Sequence, residues 1–276
     1  MRSGTRSPLL AAGLCCVAFG AALVLAYVVG PAGRLDAQAL HGLISVDRPA
    51  FHPVGNAIAR SAGALPIAAV LALLFAWGWK LGRRREAIAA VAMVAAANLS
   101  AVLLQILLAH PRIYPVLGSN QDGVEAFPSG HATGAMSIAL AAVLVAPYRA
   151  RGAVAAAAVV YVSAVCISIL VLSWHLPSDV VAGLLVAAAF FFLAVAAIRS
   201  RAERPTRPRA RRQGAALWPV LGGLALVLLA GLVALVSASD GLLSFARLNT
   251  AATVTGFAIM AVSAALVASA ASLSDR

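Results

Sequence analysis

Residues 179–198 read DVVAGLLVAAAFFFLAVAAI, a run of apolar positions with a single charge at its first residue. A helix needs about 20 mostly apolar residues to cross the hydrocarbon core of a bilayer. This run is therefore long enough for a transmembrane helix, and it decides the class of fold. Other runs of similar character lie at 9–29, 63–81, 87–109, 129–147, 153–172, 216–236 and 250–271. We predict an all-α, polytopic membrane helical bundle of eight spans.

The composition supports the same class. Of the 276 residues, 62% are hydrophobic and 11% are charged, and the mean hydropathy is +0.95. Soluble domains are nearer half apolar and about a quarter charged, so soluble and disordered proteins are excluded. Cys15, Cys16 and Cys166 lie in apolar runs, which excludes a disulfide framework and a zinc spacing. Arg2 and Arg6 precede the first run as in a signal peptide, but no convincing cleavage site follows, and we interpret the run as a retained anchor.

The basic residues predict the orientation. Lys80 is the one lysine among the 21 basic residues, and the net charge is +12. With a cytoplasmic N-terminus, sixteen basic residues fall on the cytoplasmic side and five on the other. Cytoplasmic loops of membrane proteins carry the excess of arginine and lysine. We therefore predict a protein of the cell (inner) membrane with both termini in the cytoplasm.

The spans divide into two modules. Residues 1–198 form a predicted six-span core, residues 199–215 a basic cytoplasmic linker, and residues 216–276 a two-span hairpin of unknown role. Proline and arginine in the linker are typical of a topological anchor beside anionic lipid, so we do not expect nucleic acid as a partner. Small residues in the hairpin are typical of close helix packing or of dimer contacts, so a homo-oligomer through these spans is an open alternative.

Three polar stretches fall on the predicted extracytoplasmic side. With the spans numbered in chain order, they are residues 105–112 at the end of span three (87–109), residues 127–132 at the start of span four (129–147), and residues 173–179 before span six (179–198). Arginine placement alone predicts this topology, so the convergence of the three stretches on one face is independent evidence for a functional site. An inert bundle does not need these residues, and we expect the functional site here.

The residue types in these stretches suit a phosphate. Ser129 and Gly130 begin a helix whose first amides can bind an anion, and His131 follows directly. His175 and Asp179 are four residues apart, so a carboxylate can orient an imidazole on the same helix face. The alternative is that His131 is merely interfacial and that Asp179 merely caps span six.

Arg112 adds a cation at the end of span three, with a planar group that matches phosphate oxygens. As a lone residue it would more often be an interfacial arginine. Asp122 and Glu125 are a poor pair for magnesium because they lie on a loop. These residues together predict phosphoryl transfer without a metal or another cofactor.

The sequence here resembles the type 2 phosphatidic acid phosphatase (PAP2) family of integral membrane lipid phosphatases. Residues 128–131 match the family's Pro-Ser-Gly-His motif in full. Ser168, His175 and Asp179 fall at the spacing of its Ser-Arg-x5-His-x3-Asp motif, and Arg112 matches the arginine of Lys-x6-Arg-Pro. The resemblance covers roughly residues 1–198 and leaves the last two spans unexplained.

Three positions depart from the family pattern. Gln105 replaces the first-motif lysine, Ile113 replaces its proline, and Ile169 replaces the third-motif arginine. Two cationic phosphate contacts are therefore absent. Gln105 lies about two helical turns before Arg112, so its amide can donate on the same face. Other basic side chains that could supply charge are His110, Arg48, Arg60 and Arg247.

The resemblance implies a role for each matching position. His175 would attack phosphorus and form a phosphohistidine, and Asp179 would orient it. His131 would protonate the leaving group and later activate water. Arg112 and the Ser129–Gly130 amides would hold the equatorial oxygens, with help from Gln105. The implied substrate is a polyprenyl or glycerolipid phosphate or pyrophosphate in the membrane.

The missing cations leave three hypotheses open. The first is a lipid phosphatase. The second is a phosphotransferase or phosphodiesterase on a lipid phosphodiester, which carries less charge and needs fewer cations. The third is a non-catalytic PAP2-like membrane scaffold. Segment 30–62 is interpreted either as an amphipathic lid near the site or as a plain connecting loop; its polar residues include His41, His52, Arg34, Arg48 and Arg60.

Overall fold

A computed structural model describes residues 3–45, 47, 49, 51–109, 112, 114–117, 127–200 and 248–274. Within these ranges the chain is helical and contains no strand. The helices are α1 (Ser3–Tyr27), α2 (Gly30–Ile44), α3 (His52–Arg60), α4 (Ala64–Lys80), α5 (Arg84–Leu107), α6 (Gly130–Val145), α7 (Tyr148–Val171), α8 (Pro177–Ser200) and α9 (Thr250–Ser274), with a 3₁₀ turn at Pro115–Leu117.

The apolar runs form helices long enough to cross a membrane. Helices α1, α5, α7, α8 and α9 contain apolar spans of 23 to 25 residues. A sixth span is obtained if α3 and α4, which meet at a 55° bend, are counted together. Helix α6 is shorter, at 16 residues. The all-α membrane fold is confirmed, whereas predicted span 216–236 lies outside the described residues and the count of eight stays a prediction.

Helix α6 lies in the core of the bundle and is buried along nearly its whole length. It packs against α5, α7 and α8. The approach to α8 is close, because a Cβ atom added at Gly183 would lie 2.5 Å from the backbone oxygen of Ser129. Glycine at 183 therefore allows the start of α6 to meet α8 backbone to backbone, as small residues do in membrane bundles.

Two arginines hold the far end of α6. Arg151 donates to the carbonyl oxygens of Val143 and Ala146 at 3.2 and 3.1 Å, and Arg83 donates to that of Leu144 at 3.1 Å. The last carbonyls of a helix have no partner within it, and basic side chains satisfy them. Part of the basic excess on the predicted cytoplasmic side is therefore structural.

Segment 30–62 forms two helices, so its interpretation as a plain connecting loop is wrong. Helix α2 buries Gly33, Ala37 and Leu40 along one face and contacts α1, α8 and α9. Helix α9 also packs against α7 and α8, so its small residues serve contacts within the chain. The boundary between core and hairpin stays a prediction, because residues 201–247 lie outside the described ranges.

Candidate active site

The three predicted polar stretches meet at one end of the bundle. The turn before α8 supplies His175, the first turn of α8 supplies Asp179, the start of α6 supplies Ser129 and His131, and the segment after α5 supplies Arg112. The backbone amide of Ser129 donates to the carbonyl oxygen of Asp179 at 2.9 Å. This bond fixes the start of α6 to the first turn of α8.

Ser129 is the N-cap of α6. Its backbone is extended, and its hydroxyl accepts from the amide of Ala132 at 3.2 Å. A side-chain oxygen at this position satisfies one of the free amides at a helix start. Both the hydroxyl and the amide of Ser129 are thus engaged, and the residue is fully buried. The amides of Gly130 and His131, the first two helical residues, have no partner within an α-helix and suit an anion.

The turn between α7 and α8 presents His175. Ser173 adopts φ 61°, the amide of Ser173 donates to the carbonyl of Leu170, and that of Trp174 donates to the carbonyl of Ile169, both at 2.9 Å. This is the Schellman arrangement that ends a helix with one left-handed residue. The chain then reaches Leu176, whose amide donates to Asp179 Oδ2 at 2.9 Å and so caps α8.

Two histidine rings lie side by side at this turn. The centroids of His131 and His175 are 6.1 Å apart, and His131 also contacts the ring of Trp174 at 5.1 Å. His175 Nδ1 lies 3.8 Å from Asp179 Oδ2, which is longer than a hydrogen bond. This buried nitrogen has no hydrogen-bond partner in the described part of the chain. In enzymes, the hydrogen bonds of catalytic groups are often long before substrate binds.

Arg112 lies on the other side of Asp179. It forms an ion pair with Asp179 Oδ1 and donates to the hydroxyl of Ser178 at 2.9 Å. Its guanidinium carbon lies 5.0 Å from the ring centroid of Tyr27, and its side chain is 7% exposed. Burial by itself lowers the pKa of Arg112, but the neighbouring Asp179 carboxylate raises it above its usual value. The arginine therefore stays charged.

The other predicted phosphate contacts have other partners or lie outside the described residues. The amide of Gln105 donates to the carbonyl of Pro128 at 2.8 Å, so it braces the loop before α6. Ile169 is fully buried in the main apolar cluster. Arg60 is exposed on α3 and bonds to Asn56. His110, Ile113, Arg48, Arg247, Asp122 and Glu125 lie outside the described residues.

Asp36 is a site residue that the sequence reasoning missed. Its carboxylate accepts from the amide of Ser178 at 3.0 Å and from its hydroxyl at 2.6 Å, and it lies 3.9 Å from Arg112. Burial raises the pKa of Asp36 to about 6, although the Ser178 hydrogen bonds oppose the shift. The helical spacing of Gly33, Ala37 and Leu40 was the available signal, because it places Asp36 beside a buried stripe.

The described residues include no group of three or more His, Cys, Asp or Glu side chains arranged to hold a metal ion. Because this finding covers only the described residues, the absence of a metal stays a prediction. What the described residues do provide is two imidazoles, a buried carboxylate and a helix start within one cluster. Such a set can perform nucleophilic and acid–base chemistry on an anion.

Fold and site together define a helical membrane protein with a histidine-based site at one end of its bundle. Residues 105–203 match the family model of the PAP2 superfamily, so the resemblance found in the motifs is confirmed. The chain also has the fold of a solved transmembrane PAP2 type phosphatidylglycerolphosphate phosphatase from Bacillus subtilis. That match has a TM-score of 0.60 and 16% identity and covers 71% of this chain and 99% of the other. Comparison with curated proteins finds no match.

Proposed function

We propose that the protein is a lipid phosphatase that hydrolyses a polyprenyl or glycerolipid phosphate or pyrophosphate at the extracytoplasmic face. The observation that carries this proposal is the pair of rings of His131 and His175, 6.1 Å apart at the start of α6, with Asp179 behind His175. The PAP2 superfamily segment and the fold of a membrane phosphatase support it.

In the first step His175 is the nucleophile. With Nδ1 directed towards Asp179, Nε2 is the nitrogen that attacks phosphorus. A bond forms between Nε2 and phosphorus, and the bond between phosphorus and the lipid oxygen breaks. His131 donates a proton to that oxygen, so the lipid leaves as an alcohol, or as a monophosphate if the substrate is a pyrophosphate.

In the second step water hydrolyses the phosphohistidine. His131, now neutral, accepts a proton from the water as its oxygen attacks phosphorus. The bond between phosphorus and Nε2 breaks, and inorganic phosphate leaves. His175 and His131 thus return to their starting protonation states, and the cycle needs no further reactant.

The transferring phosphoryl group is held mainly by backbone amides. The amides of Gly130 and His131 point out of the start of α6, where the helix dipole favours negative charge. Donors of this kind act most strongly where charge develops in the transition state. Arg112 contributes positive charge from the far side of Asp179, and it contacts phosphate directly only if it leaves its carboxylate partner.

A panel assay tests this function. Purified protein in detergent micelles is incubated with lipid monophosphates, lipid pyrophosphates and lipid phosphodiesters, and phosphate release is measured. His175→Ala is the inactive variant and His52→Ala, on the exposed start of α3, is the matched control. We expect release by wild type and by the His52 variant. Wild type no better than His175→Ala on every lipid would overturn the proposal.

A second candidate is a phosphotransferase or phosphodiesterase that acts on a lipid phosphodiester. The observation that favours it is the state of the cations: Arg112 is paired with Asp179, Gln105 bonds to backbone, and Ile169 is buried. A diester carries one negative charge and needs less neutralisation than a monoester. Cleavage of a radiolabelled phospholipid or lipid phosphosugar, with monoesters left intact, supports this candidate; the opposite pattern rejects it.

A further inference from the structure

Asp36 joins α2 to the first turn of α8. Asp36 bonds to Ser178, which is 142 positions away in the chain. Its carboxylate accepts hydrogen bonds from both the backbone amide and the hydroxyl of Ser178. The hydroxyl of Ser178 in turn accepts a hydrogen bond from Arg112. Its side chain is 11% exposed. A charge held this far from water by two hydrogen bonds is a defined part of the site rather than a surface group.

Arg112 is shared between two carboxylates. Asp179 binds it directly, and Asp36 lies 3.9 Å from its other terminal nitrogen. One guanidinium and two carboxylates leave this cluster with one net negative charge. If Asp36 were neutral, Arg112 would compensate Asp179 alone and the cluster would carry none.

The net charge matters because His175 becomes positive. Formation of the bond between Nε2 and phosphorus leaves a positive charge on the ring, and Asp179 faces that ring at 3.8 Å. A carboxylate stabilises an imidazolium in proportion to the negative charge that it presents. The negative charge of Asp36, 3.9 Å from Arg112, offsets part of the positive charge of that arginine, so more of the negative charge of Asp179 remains effective at His175.

We propose that Asp36 is a positioning residue of this active site, which holds the first turn of α8 and shares Arg112, so that the negative charge of Asp179 is less neutralised towards His175. This inference rests on the proposed function. Asp36 does not touch the reacting atoms, and it acts through Ser178, Arg112 and Asp179.

Two substitutions separate this role from simple helix capping. A cap needs an acceptor, which Asp36→Asn retains in part and Asp36→Ala removes. The shared arginine needs a negative charge, which both variants lack. Asp47→Asn is the matched control, because Asp47 lies in the same segment and bonds to the exposed His52 instead of to the site.

The pH profile gives a readout that a structural role would not move. Among the described residues, the titratable or charged groups that face Asp36 are Arg112, Asp179 of α8 and Tyr114 before the 3₁₀ turn. Burial raises the pKa of Asp36 to about 6, so its charge disappears as the pH falls through that value. The ratio of wild-type kcat to Asp36→Asn kcat is therefore expected to fall towards one below about pH 5.

The experiment uses wild type, Asp36→Asn, Asp36→Ala and Asp47→Asn. It measures kcat and KM on the best lipid phosphate from the panel, and the thermal unfolding midpoint of each protein. We expect Asp36→Asn to lower kcat on the order of tenfold at pH 7.5 with KM nearly unchanged, since one charge is removed at close range. Asp36→Ala lowers kcat as much and also lowers the midpoint, while Asp47→Asn matches wild type.

The results distinguish a failure of the positioning role from a failure of the proposed phosphatase function. An active wild type whose Asp36→Asn variant has the same kcat at every pH overturns the positioning role and leaves the phosphatase standing. A kcat loss that appears only in Asp36→Ala, together with a lower midpoint, reduces Asp36 to a helix cap and also overturns the role. A wild type no more active than His175→Ala overturns both proposals.

Discussion

The two sides of Asp179 are built differently. On one side Arg112 binds Oδ1, and Ser178, Asp36 and the ring of Tyr27 surround the guanidinium. On the other side His175 Nδ1 stays 3.8 Å from Oδ2 and has no hydrogen-bond partner within the described ranges. The arginine side is closely paired, whereas the histidine side is loosely held.

This difference separates stability from chemistry. Removing one partner of a buried charge pair strongly destabilises the folded protein, because the remaining charge is left without a partner. An imidazole without a fixed partner costs little to remove, yet it is the group that can reach a substrate. We therefore expect loss of Arg112 to destabilise the protein, and loss of His175 to inactivate it with little effect on stability.

The largest expected effect on activity comes from His175→Ala. Removal of a nucleophile commonly costs on the order of 10⁴-fold or more in kcat, because the remaining groups act only together with it. The thermal unfolding midpoint in detergent should stay within about 2 °C of wild type, since the ring makes no hydrogen bond at Nδ1. A variant that loses activity only in proportion to a lowered midpoint would erase the proposed difference between the two sides.

Arg112→Ala should damage stability as well as turnover. Asp179 is fully buried, and its loss of the arginine leaves an uncompensated charge. We expect the free energy of unfolding to fall by about 3 kcal/mol, measured by chemical denaturation in detergent. Arg112→Lys keeps the charge but not the fork, and should lie between wild type and alanine. An Arg112→Ala protein as stable as wild type would contradict the account of this side.

Gln105→Lys tests the anion site beside the histidines, because it restores the cation of the first PAP2 motif. The side-chain nitrogen of Gln105 lies close to the start of α6, since a Cβ atom added at Gly130 would be 3.6 Å from it. A lysine here can add charge beside the anion site and still donate to Pro128. We expect KM for a lipid monophosphate to fall by up to about fivefold, which corresponds to an exposed ion pair. KM for a phosphodiester should change less, and Gln105→Met is the uncharged control.

The smallest effect is a pH dependence of stability that originates on the arginine side. Burial raises the pKa of Asp36 to about 6, above its value in the unfolded chain. The folded state then binds the proton more tightly, so this group makes the free energy of unfolding fall as the pH rises from about 4 to 6. The difference between wild type and Asp36→Asn isolates that slope. Parallel unfolding curves for the two proteins across this window would contradict it.

The sequence predicted the class of fold and the residues of the candidate site because both predictions depend on local patterns. Long apolar runs require helices in a membrane, and residues 128–131 carry a motif on consecutive positions. His175 and Asp179 could be paired because they are four positions apart, a spacing that favours contact between side chains. Arginine placement predicted the orientation, which stays a prediction.

The partners of those residues could not be read in the same way. The contact between Asp36 and Ser178 joins distant parts of the chain, and nothing local marks it. The ion pair of Arg112 with Asp179 depends on the packing of α8 against neighbouring helices. Gln105 and Ile169 were recognised as departures from a motif, but their use by the backbone and by the apolar core required the structure.

The most direct test of the central claim is to trap the covalent intermediate. Wild-type protein is mixed with a ³²P-labelled lipid phosphate and quenched in alkali, where phosphohistidine survives, and the labelled peptide is identified by mass spectrometry. The account predicts alkali-stable, acid-labile label on His175 in wild type and in His52→Ala, and none in His175→Ala. Steady turnover of the lipid with no label on His175, or turnover that survives His175→Ala, would contradict it.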